Sequence, residues 1–338
     1  MKALFTITSW CFFQVLFALP IDSTKFYFER GVEAQKEKRM LFAYQQFQKS
    51  LSFNTENKET ILAQAFVAKE IHKPDQAQLL FEKAYKMDPS NLLVVEELSN
   101  LYFNFHKYNK AIELAQKCKD CSSSARIIGL CNYELEDYVT AEKYLKLSLN
   151  QSPTDLQVLY TLAKTYVSME QYKNAMTYYS QIVKMQDVKP LWIYEQGILY
   201  YENSDYKNAL TAFNNALAHG YEPGNDFNEN LAFTLVYCNE YDKAENMIMD
   251  LWKKNPGKKD IVKDLIAALY DKKQYDRALF YCERLMEIDP KDSKTLFQAG
   301  LCFQKKGQKE KGDNLCDKAI ELDPSLQSLR TKREISAL

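Results

Sequence analysis

Histidine, glycine and proline are scarce in this chain: three His, nine Gly and nine Pro in 338 residues. So few histidines leave little material for general acid–base catalysis or a metal centre. His72, His106 and His219 each fall at a helix end or turn of the pattern below. There is no phosphate-cradling glycine loop, nucleophile elbow or His-Glu-x-x-His run. Adjacent acids such as Glu96 and Glu97 point apart on a helix. An enzyme is therefore not expected, and neither is a cofactor or a metal. The shortage of glycine excludes flexible linkers. The net charge of −1 lacks the basic excess of a nucleic-acid-binding domain. The local clusters Lys253, Lys254, Lys258, Lys259 and Lys305, Lys306, Lys309, Lys311 read as solvated helix ends. Beyond residue 21 no apolar run approaches membrane-spanning length, which excludes a multi-pass membrane protein.

What is abundant is repetition. Ala43, Ala77, Ala111, Ala141, Ala175, Ala209, Ala244, Ala278 and Gly312 follow one another at spacings of 34, 34, 30, 34, 34, 35, 34 and 34 residues. A Gly, Ala or Ser stands twelve residues before most of them, at Gly31, Ala65, Ser99, Gly129, Ala163, Gly197, Ala232 and Gly300. A Tyr stands three residues before at Tyr108, Tyr138, Tyr172, Tyr206, Tyr241 and Tyr275. A Pro follows twelve residues later at Pro89, Pro153, Pro256, Pro290 and Pro324. A period this stable defines a repeat architecture. Counting Thr24 as position 1, the repeats run 24–57, 58–91, 92–121, 122–155, 156–189, 190–223, 225–258, 259–292 and 293–326. Each carries two helical patterns. The small residues at positions 8 and 20 mark close approach of the two helices. The Pro at position 32 ends the second helix, because it lacks a donor and clashes with the preceding turn.

These residues resemble the tetratricopeptide repeat (TPR) pattern: small at 8, aromatic near 11 and 17, Ala at 20, large at 24, small at 27 and Pro at 32. Repeat 5 supplies Ala163, Tyr166, Tyr172, Ala175 and Tyr179; repeat 6 supplies Gly197, Tyr200, Tyr206, Ala209, Phe213 and Ala216. Met40 and Pro74 depart from the usual Tyr, and the third repeat is four residues short. The resemblance implies an all-α fold, a right-handed α-solenoid of about nine helix-turn-helix repeats, with residues 327–338 as a short capping helix.

The N-terminus pairs Lys2 with an uncharged run from Ala3 to Ile21, the pattern of a secretory leader. Residues 1–20 are expected to be a signal peptide, with an N-terminal membrane anchor over residues 3–21 as the alternative. The expected location is exported, in the periplasm or cell envelope. Cys131 and Cys302 fall at position 10, Cys282 and Cys316 at position 24, and Cys118 at position 27, all packing sites where a thiol acts as a small hydrophobe. For the pair Cys118 and Cys121 three readings stand: inert thiols, a disulfide in the shortened turn, or a metal or redox pair. The helix C-terminus there has the wrong dipole sign for an activated thiolate.

The resemblance further implies a binding groove formed by positions 2, 5, 9, 12 and 13 of the first helices. Here those positions hold Asn100, Phe103, Asn104, Arg126, Tyr133, Tyr160, Lys164, Tyr194, Tyr201, Phe233, Tyr237, Lys263 and Tyr270. Tyrosine offers a large contact area with a polar tip, which suits recognition of a protein or peptide partner. Tyr160, Tyr194 and Tyr201 are expected to bind a ligand rather than hold the fold. The carboxylate clamp of chaperone-binding members does not transfer, since Glu96 and Leu130 occupy its places beside Asn100. The function expected is non-catalytic protein–protein binding by an exported scaffold or adaptor. The alternatives are carbohydrate binding on the aromatic groove and a membrane-anchored accessory or regulatory subunit.

Overall fold

The computed structural model describes residues 22–118, 121 and 123–329. The expected leader and the expected capping helix beyond residue 329 lie outside them. Among the described residues the chain is all helical and strandless, in consecutive helix-turn-helix pairs. The first pairs are α1 (Ser23–Lys36) with α2 (Met40–Phe53), α3 (Lys58–Glu70) with α4 (Pro74–Met87), and α5 (Leu92–Asn104) with α6 (Tyr108–Lys117). Next come α7 (Ser124–Glu134) with α8 (Tyr138–Gln151), α9 (Leu156–Ser168) with α10 (Tyr172–Ile182), and α11 (Pro190–Glu202) with α12 (Tyr206–Ala218). The last are α13 (Asn225–Tyr237) with α14 (Tyr241–Lys254), α15 (Asp260–Asp271) with α16 (Tyr275–Ile288), and α17 (Ser293–Lys305) with α18 (Lys309–Leu322). A 3-10 turn, Pro324–Leu326, follows. The chain forms two compact units, Met1–Thr161 and Leu162–Leu338, each with its own core.

Most pairs are held by the same small-to-large fit; in repeat 3 both partners are small, Ser99 and Ala115, and both are buried. Ala43, Ala77, Ala111, Ala141, Ala175, Ala209, Ala244 and Ala278, all at position 20, have no exposed surface. Position 8 is small for a different reason from backbone approach alone. It makes room for the side chain at position 24. A Cβ placed on Gly197 would lie 2.5 Å from the Phe213 ring, and one on Gly129 2.8 Å from Leu145. On Gly300 it would lie 2.6 Å from the Cys316 sulfur. In repeat 8 the sizes are exchanged: Ile266 stands at position 8 and Cys282 at position 24, both buried. This exchange explains why the small-residue signal lapses there.

The turns are equally regular. Position 15 is left-handed in every repeat: Lys38, His72, His106, Glu136, Glu170, Ser204, Asn239 and Lys273 have φ of 56–68°, and Gly307 has φ 81°. The position-16 amide then donates to the position-11 carbonyl, as in Asp205 to Tyr200 and Gln274 to Leu269 at 2.8 Å, and the position-15 amide donates to position 12. This is the Schellman termination, which satisfies the last carbonyls of the first helix. His72 and His106 are turn residues for this reason. Several first helices begin on Asp or Asn caps, such as Asn57 accepting from the Thr60 amide at 2.8 Å and Asp155 from the Gln157 and Val158 amides.

In the shortened turn, Cys118 and Cys121 are joined in a disulfide, with 5.3 Å between their Cα atoms. Cys131, Cys282, Cys302 and Cys316 are buried thiols; Cys238 is half-buried.

Two stability experiments follow from this geometry. Gly197→Ala is expected to cost about 1–3 kcal/mol by overpacking against Phe213. Adding Phe213→Leu should cost less than the sum of the two single changes, since Leu vacates the space the new methyl needs; strict additivity in denaturant titrations would show that the two positions do not meet. Lys273→Gly is expected to raise stability by about 0.5–1 kcal/mol, because only glycine takes a positive φ without steric cost. A lowered denaturation midpoint would contradict that reading of the turn.

Candidate interaction face

The residues expected to line a groove lie on the first helices, and the structure sorts them into distinct roles. In the first unit, Asn100 turns its amide back onto the Glu96 carbonyl at 2.9 Å, while Asn104 is exposed. The rings of Phe103 and Tyr133 sit 6.0 Å from Tyr108 and Tyr138 at position 17 of their own repeats. Arg126 donates from Nε to Asp155 at 2.9 Å and from its other end to Gln157. It therefore ties its repeat to the cap of α9 rather than pointing a free charge outward. Tyr160 is half-buried.

In the second unit the same division recurs. Lys164 pairs with Glu195 at 3.8 Å. The buried Tyr179 donates to the other oxygen of that carboxylate at 2.9 Å, which satisfies its hydroxyl. Lys263 pairs with Asp292, the cap of α17, at 2.8 Å. That lysine and the hydrogen bonds from Thr295 hold the Asp292 carboxyl below its ordinary range, against the opposing effect of its burial. Lys263 and Arg126 thus occupy the same repeat position and make the same clip to the next first helix.

The tyrosines depart most from expectation. Tyr194 lies 4.9 Å from Tyr221, 5.1 Å from Phe227 and 5.6 Å from Phe213, and its hydroxyl accepts from Asn230 at 3.0 Å. It packs between successive repeats, which takes up part of its ring face. Its neighbour Phe233 is only 9% exposed. Tyr201 meets Tyr206 edge-on at 5.6 Å, and Tyr206 stacks on Tyr237 at 4.1 Å. Burial pushes the Tyr201 phenol up to about 12, with Tyr237 and Tyr206 adding to it. Tyr270 lies 5.4 Å from Tyr275.

The sequence reading missed the partnership of positions 12 and 17 that recurs here. Its signal was present: Tyr at 17 accompanies an aromatic at 12 in repeats 3, 4, 6 and 8. The Tyr hydroxyl also reaches back to the turn residue, as Tyr241 does to Asn239 at 2.8 Å and as Tyr108 does to His106 Nδ1 at 2.6 Å.

What stays open on this face is a cleft of about 120 Å³ between α15 and α17, lined by Lys263, Ile266, Ala267, Lys294, Thr295 and Gln298. These are positions 5, 8 and 9 of one repeat and 2, 3 and 6 of the next. Ala267 and Lys294 are exposed there. Among the described residues no cluster of His, Cys, Asp or Glu could hold a metal ion, and no helix is long and apolar enough to cross a membrane.

Helix pairs on this register, closed by the 8–20–24 fit, define a helical-repeat protein. The tetratricopeptide repeat model matches residues 156–188 and 293–326 of the chain. It is 23% identical over 322 residues to tetratricopeptide repeat protein 21 homolog of Caenorhabditis briggsae, covering 87% of this chain and 24% of that protein. It is 22% identical over 216 residues to the Hsp70-Hsp90 organizing protein of Triticum aestivum, covering 61% and 36% respectively. The chain thus spans about a quarter to a third of the length of these relatives. Similar solved structures include a tetratricopeptide repeat protein from Parabacteroides merdae, with TM-score 0.44 and 16% identity, covering 64% of this chain and 86% of that one. Another is YrrB, described as a TPR protein with an unusual peptide-binding site, with TM-score 0.41 and 22% identity, covering 56% and 97%.

Tyr194→Ala is expected to destabilise the protein by about 2 kcal/mol, since it removes a partly buried ring and strands Asn230. The exposed Asn104→Ala should stay within about 0.5 kcal/mol of wild type. Equal denaturation midpoints for the two variants would return Tyr194 to the set of surface residues.

Proposed function

We propose that this protein is a non-catalytic scaffold that binds a peptide or partner protein along its first helices, and that it works as an exported protein of the cell envelope. TPR scaffolds commonly mediate protein–protein contacts. The observation that carries the reading is the cleft between α15 and α17. It lies at the positions through which the family meets ligands, and its rim residues Ala267 and Lys294 are exposed rather than built into the core. The half-buried Tyr237 and Tyr270 flank the same series of first helices and offer ring edges to an extended segment. Carbohydrate binding is less well supported, because Tyr194 and Tyr206 spend their ring faces on Tyr221 and Tyr237. The exported setting rests on Lys2 and the uncharged run that follows it.

The test is affinity capture from the native compartment with the full chain. Cross-links from the captured protein are expected on Lys263 and Lys294. Ala267→Arg combined with Lys294→Glu should abolish capture at an unchanged melting temperature, since both positions are at the rim. Capture that survives the double change places the binding surface elsewhere. Intact-mass measurement of the native protein is expected to lack residues 1–18; a mass that includes them assigns an anchor.

A further inference from the structure

The face built by the second helices has a site of its own. Where one repeat meets the next, four positions converge: 21 and 25 of one second helix, and 11 and 23 of the following repeat. At most junctions an aromatic residue stands at one of these four positions. Between α4 and α5, Tyr102 at position 11 donates to Glu82 at position 25, at 3.0 Å. Between α14 and α16, Tyr281 at position 23 donates to Glu245 at position 21, again at 3.0 Å, and is 4% exposed. Tyr44, Tyr144, Tyr200 and Phe303 stand at these positions in other junctions, and Tyr166 and Tyr178 in the remaining one.

The junction of repeats 6 and 7 alone holds no ring at any of the four. It has Leu210 and Asn214 on α12, Leu235 on α13 and Met247 on α14. A groove of about 460 Å³ opens there, lined by those four residues together with Leu231, Glu240, Lys243 and Asn246. Its volume lies in the range of small-ligand sites, about 300–1,000 Å³. Leu231 and Leu235 form a buried apolar floor. The charged rim groups Glu240 and Lys243 pair with each other at 2.5 Å, so the rim presents no net charge and matches an uncharged guest. Asn214 occupies the position from which Glu82 holds Tyr102. It is exposed, and a carboxamide both accepts from and donates to a hydroxyl.

We propose that this groove binds a tyrosine side chain presented by a partner polypeptide, with the ring against Leu210, Leu235 and Met247 and the hydroxyl on Asn214. The partner supplies in trans the ring that the other junctions carry in their own sequence. The space beyond one ring admits the guest's backbone, which Asn246 in the lining can meet with both its donor and its acceptor. The site lies on a different face from the α15–α17 cleft, so its failure leaves the reading of that cleft intact.

The probe is p-cresol, with toluene as its hydroxyl-free counterpart, titrated into the full chain carrying labelled Met methyl and Asn side-chain groups for NMR. Saturable shifts are expected at the Met247 methyl and the Asn214 carboxamide. Toluene should bind about three- to tenfold more weakly, the loss of one hydrogen bond. Met247→Tyr, which installs the ring found at Tyr281, should abolish the p-cresol response. Asn214→Leu, at an exposed position that does not threaten the fold, should bring p-cresol down to the affinity of toluene. No saturable shift in the folded wild type, or an unchanged response in both variants, overturns the site. Equal binding of toluene and p-cresol overturns the role of Asn214. A wild-type dimer in sedimentation that Met247→Tyr dissolves gives the groove to a second copy of this chain and overturns the partner.

Discussion

The fit of one large side chain into the space left by one small one, across most of the helix pairs, is the constraint on which this protein rests. Phe47, Phe81, Leu145 and Phe213 at position 24 are completely buried. Where position 8 is glycine, no Cβ fits opposite the position-24 side chain without displacing it. Close packing penalises error in both directions: a cavity if the large residue shrinks, strain if the small one grows. The pair can therefore vary only in concert, as Ile266 with Cys282 shows. Because a lone pair cannot bury both of its faces, each unit depends on its neighbours for the rest of its core.

Two further devices set how the pairs follow one another. The left-handed residue at position 15 reverses the chain in a fixed way and closes the first helix by backbone bonds alone, so residue type matters little there and Lys, His, Glu, Ser and Asn all serve. The second device is the reach of polar side chains across one repeat. Arg126 and Lys263 clip the caps of the next first helices, and Arg277 joins Glu245 and Asp242 on the preceding second helix. Those pairs are partly exposed, so each contributes modestly to stability. Their effect is to fix register between neighbouring repeats.

The aromatic residues divide according to the same geometry. In repeats 3, 4, 6 and 8 the tyrosine at position 17 packs on a ring at position 12, and the Tyr108, Tyr206 and Tyr241 hydroxyls reach the turn. Tyr179 and Tyr281 are buried with carboxylates receiving their hydroxyls. Tyr194 belongs to inter-repeat packing. Few of the rings are left wholly for a ligand, so the recognition surface is narrower than the abundance of Tyr suggests. We propose that it lies where ordinary fillers are absent, beside Ala267 on one face and beside Asn214 on the other.

The repeat length, the pairing of helices and the burial of position 20 were legible in the sequence, because close packing restricts a residue at that point to Ala or Gly whatever else surrounds it. The burial of Cys131, Cys282, Cys302 and Cys316 was legible for the same reason, since repeat position alone set their environment. The groove was only partly legible. Repeat position says which side of a helix a residue faces, but not whether its tip is already taken. That is decided by residues about 34 places away: Asp155 for Arg126, Glu195 for Lys164, Phe227 and Asn230 for Tyr194. The turn at position 15 was illegible for a complementary reason, since seven of its nine residues are neither Gly nor Asn, the types that most readily announce a positive φ there. The sequence by itself thus determined the unit and its repetition, because those follow from local volume and period. Only the tertiary structure decided which polar and aromatic groups remain for a partner, because that depends on what the next repeat brings against them.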